Sequence, residues 1–540
     1  VIAQEPSSTA AVPAHFDGGD WGVLLGYFAL LAWSGWWFAR RENKNTDDYF
    51  LGGRRMPPWA VAISIVATSL SAASFVGVPA AGYGGDLTYL FTNVGMVLAA
   101  LVVAFVFIPA FYAARVQSVY GLLESRCGPL ASRAASVAFL LGRLLASGAR
   151  VYVAAIPLSM IMFGVEGGME PANLLLAVVV IGIVGVLYTL VGGIAAVIWT
   201  DVLQFVVFLV AAGAAVGLIG SWLVVPWSDV FAALDENAKL RLVSLDTDPR
   251  TSFTLWTSVI GFTLLGIGSY GTDQDLSQRM LTCSDAKKGS RSVLMGILMG
   301  IPSVAIFLAV GLCLWIFHQR PEFVGVHAPL EGPANASQVF LEFILEEMPS
   351  GLRGLMMAGL FAAALSSVNS TINAMSSTFV ADLYRKFAPG RGEPHYLAVG
   401  RRGVVWFGVA LAIVAALCVW WQSTHTDNGG NALLDFVLGV MVFAYSGLVG
   451  VFLCVLLLGR GSERSVIAAL VTGFVLVLLA QPWMPWVPDE LGAGLPFGEL
   501  DFRQQLAATH FTWKFTASVA VTFAICALGG RTHPRAATAT

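Results

Sequence analysis

Thirteen windows of about 20 apolar residues follow one another along this 540-residue chain. They sit near 21–39, 59–82, 88–112, 135–163, 173–191, 195–225, 253–274, 292–317, 352–381, 403–421, 432–458, 464–482 and 511–529. Hydrocarbon leaves every unpaired backbone group without a partner, so spanning segments are helices or closed barrels, and windows of this length are helical. An all-α membrane protein with about thirteen transmembrane helices is therefore expected. Composition agrees: 57% of residues are hydrophobic and 12% charged, against roughly 25% charged in a soluble domain. A net charge of −3 offers no footprint for nucleic acid. Cysteines 127, 283, 313, 418, 454 and 526 show no metal spacing and imply no disulfide framework. The first residue is Val1, which points to an initiator Met outside the numbering or a removed leader; residues 1–20 lack a signal-peptide apolar core.

Lys and Arg set the orientation. With the N-terminus outside, 21 of the 30 basic residues fall in cytoplasmic segments, among them Arg54, Arg55, Arg126, Arg279, Lys287, Arg385, Arg401 and Arg464. Seven fall outside, including Lys239, Arg241 and Arg353, and Arg143 and Arg150 lie within a span. The expected organisation is an extracytoplasmic tail (1–20), an extra helix (21–39), two five-helix units (59–225 and 253–458), two further helices (464–529) and a cytoplasmic tail (530–540). The outer loops near 226–252, 318–351 and 483–510 are too short for a separate soluble domain.

Within that apolar background, residues 361–378 stand out. Nine hydroxyl or amide side chains lie between Ser366 and Thr378, with no ionisable one among them. Each unpaired polar group in hydrocarbon costs several kcal/mol. Neutral oxygens at that depth suit a small hard cation. Two other spans are interrupted. The second holds Ser64, Thr68, Ser69, Ser71 and Ser74, then Gly77, Pro79 and Gly82; the seventh holds Gly261, Gly266, Gly268 and Gly271, then Thr272, Asp273 and Gln274. Counted from the second span, these are the first and sixth helices of a ten-helix set. Broken helices at matching positions of two halves point to a transporter with a midplane site.

Four motifs carry a resemblance. Asp47-Asp48-Tyr49-Phe50-Leu51-Gly52-Gly53-Arg54, Gly192-Gly193 through Thr200-Asp201 with Gln204, Thr272-Asp273-Gln274 with Gln278-Arg279, and Gly359 through Ser366-Ser367 to Asp382-Leu383-Tyr384 occur in order between about 45 and 460. In these the chain resembles the sodium:solute symporter family. The resemblance implies a LeuT-type fold of two inverted five-helix repeats. It also implies a sodium site made by carbonyls of Ala67, Leu70 and Ala363 and hydroxyls of Ser366 and Ser367. Ala363, Ser366 and Ser367 share one helix face by spacing; the other reading of the two serines is bonding back to carbonyls one turn earlier. Asp201, at the edge of its span, is expected on the ion path or as a carboxylate at a helix N-terminus. Asp201, Asn369 and Ser370 are candidates for a second ion, as in the sialic-acid branch, although Asn369 stands where that branch has Ser.

For the solute, the resemblance is closer to the sialic-acid and monocarboxylate branches than to the sugar branch. Sugar-carrying members have larger hydrogen-bonding side chains at positions matching Ser74, Asn93 and Gly266. A row of small hydroxyls at a helix break can cradle a carboxylate. Arg143 and Arg150, seven apart, share a face of the fourth span, and an arginine in mid-membrane is a functional-site candidate. Candidate solute contacts are Ser69, Ser71, Ser74, Asn93, Arg143, Arg150, Gly266 and Ser269. The expected activity is sodium-coupled import of a small carboxylate through the plasma (inner) membrane by alternating access, with a monomer as functional unit. A sugar or polyol symporter is the first alternative, and a solute-sensing receptor the second. No nucleophile–base pair or metal set points to an enzyme.

Overall fold

The computed structural model describes residues 16–39, 45–327, 329, 338–424, 432–480 and 509–532. Among these residues every expected window falls on helix. Helix α1 is Gly18–Ala39; α2 (Pro58–Ser69) and α3 (Ala72–Gly84) form a pair bent by 67°. Next come α4 (Thr88–Val102), α5 (Pro129–Gly168) and α6 (Pro171–Trp222). Helix α7 (Phe262–Ile267) lies between two wide π turns, and α8 (Gln274–Leu281) follows the second. The rest are α9 (Ala286–Gln319), α10 (Leu352–Thr378), α11 (Glu393–Thr424), α12 (Ala432–Leu453), α13 (Glu463–Leu479) and α14 (Phe511–Ala527). Among the described residues six helices, counted with their continuations, are long and apolar enough to cross a membrane, and seven if the bent pair is one span.

The helix that looked anomalous in sequence is the most enclosed. In Leu352–Phe387, 94% of the apolar window is buried, where α10 packs against α6, α5 and α1. Its polar face meets protein, which is how hydroxyls are tolerated at that depth.

The first break differs from expectation. Pro79 and Gly82 lie inside α3 and do not interrupt it. The chain opens at Leu70 (φ −83°, ψ 118°) and Ser71 (φ −117°, ψ 177°), and the Ser71 N–H reaches the Ser74 hydroxyl at 3.4 Å. A serine there supplies the partner that the interrupted helix ladder no longer can. The glycines serve close packing instead: a Cβ on Gly311 would stand 2.1 Å from the Pro79 carbonyl, and one on Gly82 2.8 Å from that of Leu308. The second break follows the Gly268–Thr272 π turn, at extended Asp273 (φ −85°, ψ 120°), whose carboxylate accepts the Asp275 N–H at 2.9 Å.

Two features at the ends of elements also differ. Asp20, assigned above to a tail, is buried in α1, and its Oδ1 accepts the N–H groups of Gly351 and Gly354 at 2.9 Å each. It thereby caps the positive N-terminal end of α10 from another helix. The outer loop 226–252 contains a helix, Trp227–Glu236, and that at 318–351 contains Val339–Glu346. Residues 1–15 and 533–540 of the tails, Arg40, Arg41 and Lys44, and most of the 483–510 loop lie outside the described residues.

Windows 173–191 and 195–225 are two arms of α6, joined at Gly193 (φ 58°, ψ −172°). A Cβ there would sit 2.7 Å from the Tyr49 carbonyl. Gly193→Ala is expected to cost about 1–3 kcal/mol through left-handed strain and overpacking. Gly217→Ala, in open space, is the control. Equal unfolding midpoints for the two variants in detergent would contradict this account.

Candidate cation and solute sites

A ladder of buried charges ties the second break to α2, α6 and α10. Asp201 Oδ1 accepts the Ser366 hydroxyl at 2.6 Å, and Oδ2 accepts that of Ser64 at 2.5 Å. Arg279 Nη2 lies 3.3 Å from the same Oδ2, while its Nε donates to Ser64 Oγ at 2.8 Å. Arg279 Nη1 donates to the Asp275 carbonyl and Oδ1, both at 2.7 Å. The other oxygen of Asp275 pairs with Arg143 Nη2 and accepts the Thr371 hydroxyl at 3.1 Å. Arg143 Nη1 reaches Asp273 Oδ2 at 2.7 Å, and Tyr445 donates to that oxygen at 2.8 Å. No member of the chain from Asp201 to Asp273 is more than 2% exposed. In such a setting charges persist only when paired and hydrogen-bonded.

Two expectations change here. Asp201 is neither at a span edge nor capping a helix start; it lies within the second arm of α6, paired to Arg279. Arg279, counted above in a cytoplasmic segment, is fully buried in α8. Thr371, Asp275 and Tyr445 were not singled out in sequence. The Gln278-Arg279 pair and the acid-rich Thr272-Asp273-Gln274-Asp275 run were the available signals: charges beside a break need partners.

A small cavity beside the first break is lined by Ala67, Leu70, Ala363 and Ser366, with Ala362, Gln204, Phe205 and Phe208 completing its wall. Four of the five expected sodium residues thus meet at one place. The fifth, Ser367, donates to the Thr68 carbonyl at 3.3 Å across the same helix contact. Neither Ser366 nor Ser367 bonds back along α10; Ser370 does, to the Ser366 carbonyl. The candidate donor set is one carboxylate-held hydroxyl, a second hydroxyl, the carbonyls of Ala67 and Leu70 at the break, and that of Ala363 within α10. It suits a monovalent hard cation. Of the expected second-ion residues, Asp201 and Ser370 both contact Ser366, but Asn369 turns its oxygen to the Thr189 hydroxyl at 3.2 Å.

A second cavity of about 150 Å³ also adjoins the break. Ser69, Ser71, Ser74, Asn93, Arg143, Arg150 and Ser269 all line it, with Tyr89, Tyr270 and Tyr445. Gly266 does not; a Cβ there would be 2.6 Å from that of Ala99, so Gly266 serves the contact of α7 with α4. Apolar walls come from Val66, Val78, Met96, Leu265, Ile297 and Val304. Leu70 belongs to both cavities.

Comparison with known proteins identifies the fold. The model of the sodium:solute symporter family matches residues 49–473. The sodium/sialic acid symporter SiaT of Proteus mirabilis is 28% identical over 86% of this chain and 89% of its own length. The sodium-coupled monocarboxylate transporter 2 of Mus musculus is 28% identical over 79% of this chain and 69% of its own. The substrate-bound, outward-open structure of a Na+-coupled sialic acid symporter superposes with a TM-score of 0.76 at 23% identity, covering 96% of this chain and all of that one. The fold is therefore shared.

Arg143 separates two carboxylates that would otherwise repel. Arg143→Ala is expected to lose about 3–5 kcal/mol of stability, measured by thermal unfolding in detergent. Adding Asp273→Asn removes one of the stranded charges and recovers part of the loss. A double variant no more stable than Arg143→Ala would show that the ladder is not held by charge.

Proposed function

The chain belongs to the sodium:solute symporter family, and on that premise we propose that it imports a small organic carboxylate together with sodium by alternating access. The finer architecture in this reading is thirteen spans with the N-terminus outside, arranged as two inverted five-helix repeats around the breaks at Leu70 and Asp273, with a monomer as the working unit. Sodium occupies the cavity at Ala67, Leu70, Ala363, Ser366 and Ser367. The solute occupies the larger cavity, against Ser69, Ser71, Ser74, Asn93 and Ser269.

The observation that carries this reading is that one residue of the broken helix, Leu70, walls both cavities. An ion that fixes the α2 end against α10 fixes one face of the solute cavity as well. Binding of each then favours the conformation that binds the other, which is the thermodynamic content of coupling.

A choice left open by sequence narrows. The guanidinium of Arg143 is committed to Asp273 and Asp275, so an anion approaching it meets two carboxylates. Arg150 lines the same cavity and is the residue assigned to the solute carboxylate. The relatives described above carry sialic acid and monocarboxylates, which share that group. The apolar part of the wall, from Val66, Val78, Met96, Leu265, Ile297 and Val304, accepts the hydrocarbon body of a compact monocarboxylate.

The energetics bear on stoichiometry. One sodium entering brings about 2.3 kcal/mol per 100 mV and about 1.4 kcal/mol per tenfold gradient. With a monovalent anion the pair is electroneutral and only the gradient drives uptake. The turn of Asn369 toward Thr189 favours one sodium per cycle.

Arg150→Lys is expected to raise the half-saturating concentration of a monocarboxylate about 10-fold or more in proteoliposome uptake, through loss of a charge-assisted fork. Unchanged affinity would remove Arg150 from the site. In the same assay, Ser366→Ala combined with Ser367→Ala abolishes sodium stimulation, and the wild type titrates sodium with a Hill coefficient near one. Retained sodium stimulation in that variant would sink the cation assignment, and a coefficient near two the stoichiometry.

A further inference from the structure

Three polar atoms remain without a hydrogen-bond partner of good geometry beside the small cavity: the Tyr27 hydroxyl and both amide atoms of Gln204. Gln204 is 1% exposed and Tyr27 6%. Gln204 is a wall residue of the cavity, and the Tyr27 hydroxyl lies beside the Gln204 amide. Gln204 stands one turn beyond Asp201 on α6, so the two share a face toward Ser366. Tyr27 comes from α1, the extra helix outside the two five-helix units. That helix is pinned to the start of α10 by Asp20. Unpaired buried amides are rare, and one facing a cavity points to something that binds there.

We propose that α1 is part of the cation site: Tyr27 positions Gln204 so that the amide oxygen faces the cavity and becomes a further oxygen around the ion. The inference rests on the cation reading given above. The chemistry fixes the orientation. An amide has one acceptor end and one donor end. When the phenol oxygen of Tyr27 accepts the Nε2–H, Oε1 is left pointing at the cavity. Without that acceptor the two ends are no longer distinguished, and the donor end, which repels a cation, faces the site part of the time. Tyr27 is thus a positioning residue acting through Gln204. The helix that carries it adjusts ion affinity without touching the solute.

The test is a sodium titration of the full-length protein in two formats, monocarboxylate uptake into proteoliposomes and sodium-dependent thermal stabilisation in detergent. Tyr27→Phe keeps the ring packing and is expected to raise half-saturating sodium about 3-fold to 10-fold, with solute affinity at saturating sodium unchanged. Gln204→Leu raises it at least as far, and adding Tyr27→Phe to Gln204→Leu has no further effect, because the two act as one unit. Gln204→Glu, which keeps an oxygen in place, restores sodium affinity. Half-saturating sodium unchanged in both single variants overturns the proposal. So does an additive double variant, or a Gln204→Glu protein as weak as Gln204→Leu. If these variants behave as wild type while Ser366→Ala with Ser367→Ala abolishes sodium stimulation, this proposal fails and the cation reading stands. If the wild type shows no sodium dependence in either format, both fail.

Discussion

The ion pair between Arg279 and Asp201, continued through Asp275 to Arg143 and Asp273, is the interaction on which the functional architecture depends. Its members come from α5, α6, the second break and α8, and Ser64, Ser366, Thr371 and Tyr445 add hydrogen bonds from α2, α10 and α12. Replacing such a network with apolar side chains would often cost nothing in stability. What it supplies is register. Each guanidinium is held by two carboxylates in a fixed fork, and a slide of one helix past another would strand a charge in a low-dielectric interior. The second break is therefore held in place although it has no continuous backbone ladder.

That fixed register explains why the two cavities sit where they do. Asp201 holds the Ser366 hydroxyl by its hydrogen and leaves the lone pairs of that oxygen for a cation. Leu70, between the cavities, lies where α2 has lost its helical dihedrals. Ser71 reaches Ser74, so the opening is stabilised locally and does not depend on an occupant. The opening at the first break is thus held by the chain's own polar groups.

Much of this was legible in sequence, and the failures share a physical cause. The apolar windows, the polar stretch after Leu365 and the pairing of Arg143 with Arg150 on one face all follow from periodicity within one helix. The sodium residues came from a family resemblance, and four of them do meet. What sequence misplaced were groups whose role depends on another element. Asp20 looked like part of a tail because its partners, the Gly351 and Gly354 amides, are more than 330 residues away. Arg279 looked like a loop cation because a positive-inside count cannot see Asp201. Pro79 looked like a helix breaker, whereas the break uses Ser71, whose hydroxyl-bearing neighbour offers what a proline could not.

The same buried charges bear on why cation and anion would travel together. With all groups ionised, Asp201, Asp273 and Asp275 are offset by Arg143, Arg279 and Arg150, so the described residues around the two cavities sum to zero. One sodium and one carboxylate leave that sum unchanged. Either alone leaves a net charge in a region where a unit charge interacts far more strongly than in water. A carrier holding only one of them therefore faces an electrostatic penalty on rocking that the empty and the fully loaded carriers both escape. On the proposed reading Arg150 does more than recognise a carboxylate. It also completes the neutral sum of three acids and three bases, so that a half-loaded crossing would carry a net charge.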